Sequence, residues 1–179
     1  MGPRPRAVLL ITGIQAAGKS TVAQLVAEQL PKSVHLRGDL FRRMVVRGRA
    51  DMTPDPSPEA LRQLRLRHRL TAEVADRYFD AGFTVVAQDI LLGSHLTEMV
   101  EAIRSRPLLV VVLVPEPDAV AAREAGRAKN AYGEYSVADL DGGLRRDTPR
   151  VGLWLDSTLQ TPGQTAEEIL RRAWTEATV

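Results

Sequence analysis

Ala7-Val8-Leu9-Leu10-Ile11-Thr12 runs straight into Gly13-Ile14-Gln15-Ala16-Ala17-Gly18-Lys19-Ser20-Thr21, and that in turn into Val22-Ala23-Gln24-Leu25-Val26-Ala27-Glu28-Gln29-Leu30. An apolar run of strand length, a loop bounded by glycines and a helix-forming segment, in that order, predict a strand, a phosphate loop and a helix. The spacing of Gly13 and Gly18 lets the backbone curl so that its N–H groups converge on a polyphosphate at the positive end of the helix dipole. Lys19 would reach the β- and γ-phosphates, and Ser20 would hold a magnesium ion. The alternative is a plain glycine turn with Lys19 as a surface cation. The flanking strand and helix that phosphate binding requires argue against it. Gly13, Gln15, Ala16, Ala17, Gly18, Lys19, Ser20 and Thr21 are therefore the expected ATP contacts.

Beyond this stretch, apolar runs alternate with helical patterns, the mark of parallel strands joined by crossover helices in an α/β fold. Strands are expected at Val8–Thr12, Val34–Leu36, Thr84–Gln88, Leu108–Val114 and Leu153–Leu155. Helices are expected at 19–30, 39–49, 58–81, 95–105, 117–128, 137–147 and 166–177. Ser57 before Pro58 and Glu59, Ser136 with Asp139, and Thr165 with Glu168 read as N-caps. The prolines of Asp51-Met52-Thr53-Pro54-Asp55-Pro56-Ser57-Pro58 demand a loop, expected to form part of a substrate-side flap.

The 179 residues suit one domain, expected over 1–179, with substrate-side helices near 39–81 and a lid near 123–137. No cysteine is present, which excludes disulfides, thiolate metal sites and a cysteine nucleophile. No apolar run is long enough to span a bilayer, so the expectation is a soluble, cytoplasmic protein. The formal net charge is only +2, yet nine arginines between Arg37 and Arg69 face four acids. A basic patch beside a nucleotide site suits an anionic acceptor, a nucleic-acid strand or the transferring phosphate; a solvated helix face is the plainer reading of any one arginine. His35, His68 and His95 lack metal-ligand spacing and read as structural or surface residues.

Open parallel sheets bind ligands at the carboxyl ends of their strands. After the second strand, Arg37-Gly38-Asp39-Leu40-Phe41-Arg42 puts a carboxylate at a helix start with an arginine one turn on. Asp39 could take the proton of an attacking hydroxyl while Arg42 grips the acceptor, or it could simply cap the helix. After the third strand, Asp89 is the candidate to orient magnesium or activate the nucleophile, and otherwise caps the turn at Gly93-Ser94. After the fourth, Arg123 and Arg127 share a helix face and could fold over the transferring phosphate as a lid; the plainer reading is a pair of exposed arginines near a helix C-terminus. After the fifth, Asp156-Ser157-Thr158 could line the adenine pocket, and the absence of an Asn-Lys-x-Asp signature favours ATP over GTP.

With these pieces in order the chain resembles the small P-loop kinases of the adenylate, gluconate and shikimate kinase group over nearly its full length. The resemblance implies a five-stranded parallel sheet in the order 2-3-1-4-5, flanked by helices, with a mobile lid. Asp39 and Asp89-Ile90-Leu91-Leu92-Gly93 look like the corresponding positions of chloramphenicol phosphotransferase-like proteins. Asp39-Leu40-Phe41-Arg42 and the Arg-x-x-x-Arg lid look like those of 5′-polynucleotide kinases, and zeta-toxin-like sugar-nucleotide kinases carry a similar Asp-x-Phe-Arg. All three imply Asp39 as base. Gln88 departs from the paired acids of the chloramphenicol enzymes, and few aromatics fall in the basic segment to stack nucleic-acid bases. The expectation is an ATP- and magnesium-dependent kinase acting on a small-molecule hydroxyl, an antibiotic or a metabolite. A 5′-hydroxyl polynucleotide or nucleotide kinase, and an ATPase or switch without acceptor, stand as alternatives.

Overall fold

The computed structural model describes residues 4–125 and 135–179. Arg127, and with it most of the expected lid, lies outside the described residues. Five strands, β1 (Val8–Thr12), β2 (Ser33–Arg37), β3 (Thr84–Gln88), β4 (Leu108–Leu113) and β5 (Leu153–Leu155), form one parallel sheet in the order β2-β3-β1-β4-β5. The strand order expected from the resemblance is the one found. The central strands β1, β3 and β4 are buried at every position, as an unbroken apolar run requires, whereas the edge strands β2 and β5 are buried only in part.

The connecting helices are α1 (Lys19–Glu28), α2 (Asp39–Arg43), α3 (Pro58–Asp80), α4 (Ser94–Ala102), α5 (Pro117–Ala125), α6 (Val137–Asp147) and α7 (Pro162–Glu176). The step from β1 to β2 runs one way across the sheet and every later step runs the other. Right-handed crossovers therefore put α1 on one face and α3 and α4 on the opposite face. The packing of α1 on α7 and of α3 on α4 agrees. Among the described residues no helix is long and apolar enough to cross a membrane.

Among the described residues, three boundaries differ from the sequence reading by three residues or more. Helix α2 stops at Arg43 instead of 49, because β-branched Val45 and Val46 and then Gly48, with φ +74°, break it. Helix α4 stops at Ala102 because Ser105 is drawn to Asp76, whose carboxylate accepts the Ser105 hydroxyl (2.6 Å), the Ser105 amide (2.9 Å) and the Arg104 amide (3.2 Å). Helix α7 begins four residues early, with Thr161 and Gln164 forming the capping box and Pro162 at the first position. Thr165 is thus a buried residue inside the helix, where its hydroxyl donates to Thr161 O (3.1 Å). The caps at Ser57 and at Ser136 with Asp139 form as expected.

Candidate nucleotide and acceptor site

All five strands end at the same edge of the sheet, and the loops leaving them hold the candidate residues. The loop after β1 turns on Gly13, φ +147°, where a Cβ would stand 2.6 Å from Leu113 O, so only glycine lets it pass the end of β4. Ala16, φ +59°, and Gly18, φ +94°, complete a loop in which interspersed left-handed residues turn backbone amides into a concavity. Gly18 is also the N-cap of α1 and supplies no side-chain cap, leaving the amides of the first turn to a ligand. Lys19, only 8 % exposed, folds back so that Nζ donates to Ile14 O (2.7 Å). Its ammonium is thereby held at the loop. Ser20 is half-buried and Thr21 exposed on the same turn.

Ser20 is a suitable side chain for a magnesium ion, which keeps most of its ligands as water and phosphate oxygens instead of needing an all-protein cage. Asp89 is less available. It ends β3 as a side chain with 0 % exposure, accepts the Ile90 amide (2.7 Å) and is clamped by Arg67, whose Nε donates to Oδ2 (2.7 Å) while Nη2 pairs with Oδ1. The Gly38 amide donates to Gln88 O (3.0 Å), and a Cβ at Gly38 would collide with the Asp89 carboxylate. Glycine here lets the ends of β2 and β3 meet, which brings Asp39 close to the Asp89–Arg67 pair.

Asp39 is the first residue of α2, and Gly38 is the cap. The capping role considered for Asp39 therefore does not form. Its Oδ2 accepts from Arg43 (2.6 Å), while the buried Oδ1 has no hydrogen-bond partner and faces Arg37 Nε at 3.6 Å. Arg42, one turn on, pairs with Asp51 instead of Asp39.

Arg67 is the residue that the sequence reading missed. Burial pushes its guanidinium down to about 10, with Asp39 opposing the shift and Arg42 adding to it, so it stays charged at neutral pH. The available signal was its position four residues before Thr71 and eight before Ala75, both buried, on the inward stripe of α3. Next to it His68 is buried edge-on against His95, with ring centroids 5.4 Å apart. Burial, then Arg67 and His95, push His68 down to about 3. It is a neutral core histidine, as its sequence context suggested.

At the far side, the Asp156 carboxylate accepts from both the Thr158 amide (2.9 Å) and its hydroxyl, and these bonds hold its pKa below the usual range. Thr158 Oγ1 accepts the Glu116 amide (2.8 Å), tying this turn to the segment after β4. Ser157 carries a buried hydroxyl without a hydrogen-bond partner. Arg123 Nη2 donates to Ser157 O (2.7 Å), so the described arginine of the expected lid lies on this turn. Arg145 on α6, also unanticipated, bonds Asp141 (2.9 Å) and reaches Val114 O (3.4 Å) and Glu116 (3.3 Å), bracing the same corner.

Comparison with known proteins matches residues 8–146 to the AAA_33 family, described as AAA domain. A UPF0200 protein of Aeropyrum pernix is 38 % identical over 60 residues, 34 % of this chain and 32 % of that protein, so the match spans about a third of its curated relative. An unliganded sugar kinase from Janibacter sp. HTCC2649 superposes with a TM-score of 0.69 at 21 % identity, over 93 % of this chain and 94 % of the other. The Mycobacterium tuberculosis APS kinase, solved with AMPPNP and APS, gives 0.70 at 20 % identity over 94 % and 98 %. The Deinococcus radiodurans tunicamycin resistance protein gives 0.67 at 16 % over 98 % and 100 %. At these identities the likeness is one of fold.

Proposed function

Because the chain belongs to the AAA domain family and has the fold of small P-loop kinases, we propose that it is an ATP-dependent phosphotransferase acting on the hydroxyl of a small molecule. The observation that carries this reading is a phosphate loop with a buried lysine on the same edge of the sheet as a carboxylate, Asp39 after β2, one of whose buried oxygens has no hydrogen-bond partner. A nucleotide switch has no use for that second group.

In the proposed step the acceptor hydroxyl gives its proton to Asp39 as its oxygen bonds to the γ-phosphorus. The bond from that phosphorus to the β–γ bridging oxygen breaks, and the bridging oxygen leaves on ADP. Lys19 and the amides of Gly13 to Thr21 bind the phosphates. Magnesium, which Ser20 would hold, offsets phosphate charge when bound. Asp156, Ser157 and Thr158 are assigned to the nucleotide base and Arg42 to the acceptor. Arg123 and Arg127 are assigned to the charge that develops on the phosphoryl group, and closure would exchange the Arg123 contact with Ser157. Asp89 is assigned to the acceptor side, where its pairing with Arg67 fixes the floor beneath Asp39.

The test is ADP release from magnesium-ATP across hydroxylated antibiotics, nucleosides, sugars and a 5′-hydroxyl oligonucleotide, with product mass confirmed. Phosphorylation of a small molecule is the expected result. Phosphorylation of the oligonucleotide alone would replace the acceptor class, and ATP loss to water unaffected by every compound would replace the kinase reading by an ATPase.

A further inference from the structure

A cleft of about 50 Å³ opens between α2, α3 and the segment joining them; Asp39 does not line it, but Arg67, which does, lies within the electrostatic reach of Asp39. Its walls are mostly apolar, with Phe41, Val45, Met52, Leu64 and Leu70 among them, and its polar lining is limited to Arg42, Gln63 and Arg67. Each of those three is already engaged. Arg42 pairs with Asp51 and Arg67 with Asp89. Gln63 donates to Gly48 O (2.7 Å) and Glu59 (2.7 Å) and accepts from the Ala50 amide (3.0 Å). The cleft therefore presents apolar wall and cations that already hold carboxylate partners, although it lies in the most arginine-rich part of the chain.

The apolar surface continues past the mouth. The lining residue Leu66 is 46 % exposed, and Leu40, Met44 and Val46, which flank lining residues in sequence, are 42 %, 70 % and 91 % exposed. Contiguous exposed apolar patches on a protein surface mark sites of interaction or ligand binding. A cleft of this volume holds only a few carbon atoms, so a larger acceptor would lay the rest of its body over this rim.

We infer that the phosphoryl acceptor is an uncharged alcohol with an apolar aliphatic or aromatic body, seated in this cleft with its hydroxyl at Asp39. An anionic acceptor would find every lining cation already paired, and a polyol would bury hydroxyls against walls that offer no partners. The inference rests on the phosphotransfer reading for its product but not for its binding, which is a property of the cleft alone.

The experiment uses the full chain and a series of primary alkanols from butanol to octanol, with glycerol and glycerate as polar and anionic controls. Two quantities are read: alcohol affinity by calorimetry without nucleotide, and phosphorylated product by mass with magnesium-ATP. Affinity and kcat/KM should both rise, by up to about fourfold for each added CH2 while the cleft fills. Leu64→Gln and Met52→Gln, checked by thermal unfolding, should each flatten that rise. Binding with this dependence but no product would uphold the cleft and sink the kinase reading. Phosphorylation of glycerol or glycerate in preference to the alkanols would do the reverse. Absence of alkanol binding, together with a concentration-dependent dimer that Val46→Asp dissolves, would assign the rim to a second copy of the chain and overturn the inference.

Discussion

The two sides of the site are built from different materials. On the nucleotide side the phosphate loop is made of backbone: Gly13, Ala16 and Gly18 set the curve, and its charged side chain, Lys19, folds onto a loop carbonyl. On the side proposed for the acceptor the geometry is made of side-chain ion pairs. Six of the nine arginines between Arg37 and Arg69 pair with carboxylates: Arg37 and Arg43 with Asp39, Arg42 and Arg49 with Asp51, Arg62 with Glu59, and Arg67 with Asp89. One side turns backbone amides into a concavity; the other pairs six arginines with four of its own carboxylates. A positive stretch in a sequence is thus in part a set of internal ion pairs.

The contrast breaks first at Lys19. Lys19→Ala removes the cation that the loop exists to place, and should lower kcat/KM for ATP by about 10³-fold with little change in thermal stability. On the acceptor side the largest effect should fall on stability instead. Arg67→Met leaves the Asp89 carboxylate buried and unpaired, costing about 3–5 kcal/mol in denaturant unfolding. Arg67→Met with Asp89→Leu should recover much of that loss, and a double variant no better than the single would show that the pair does not act as a unit.

His68 sharpens the comparison through pH. Its folded pKa, about 3, lies below the ordinary 6.5, so between those values the unfolded chain binds a proton that the folded chain does not. Stability should therefore be lost as pH falls below about 6.5, with a slope from this group approaching about 1.4 kcal/mol per pH unit. His68→Leu should flatten urea midpoints over that window, and an unchanged slope would assign the acid sensitivity elsewhere. The smallest effect is expected at the exposed Arg62–Glu59 pair, where Arg62→Ala should leave the urea midpoint unchanged within error.

The same difference explains what the sequence revealed. Strand, loop and helix from Ala7 to Leu30 announce themselves through local periodicity and glycine placement, and the central strands through their apolar runs; all formed within two residues of the expected bounds. Helix ends decided by long-range partners did not. The end of α4 depends on Asp76, 29 residues from Ser105 along the chain, and no local pattern around 102 encodes it. The pairing of Arg67 with Asp89 spans 22 residues and joins a helix to a strand end, so the basic segment looked like an anion-binding surface. The cap at Thr161 was legible in Thr161-Pro162-Gly163-Gln164, but the pattern at Thr165 and Glu168 imitated it one turn later.

The central claim is that Asp39 serves transfer and not nucleotide binding. The measurement that tests it most directly is γ-phosphoryl transfer from labelled ATP to an acceptor by the wild-type chain and by Asp39→Asn, with ATP-analogue affinity measured on both. The account predicts equal affinity within about twofold and a kcat lower by about 10²- to 10³-fold in Asp39→Asn. Equal turnover in the two proteins would contradict it.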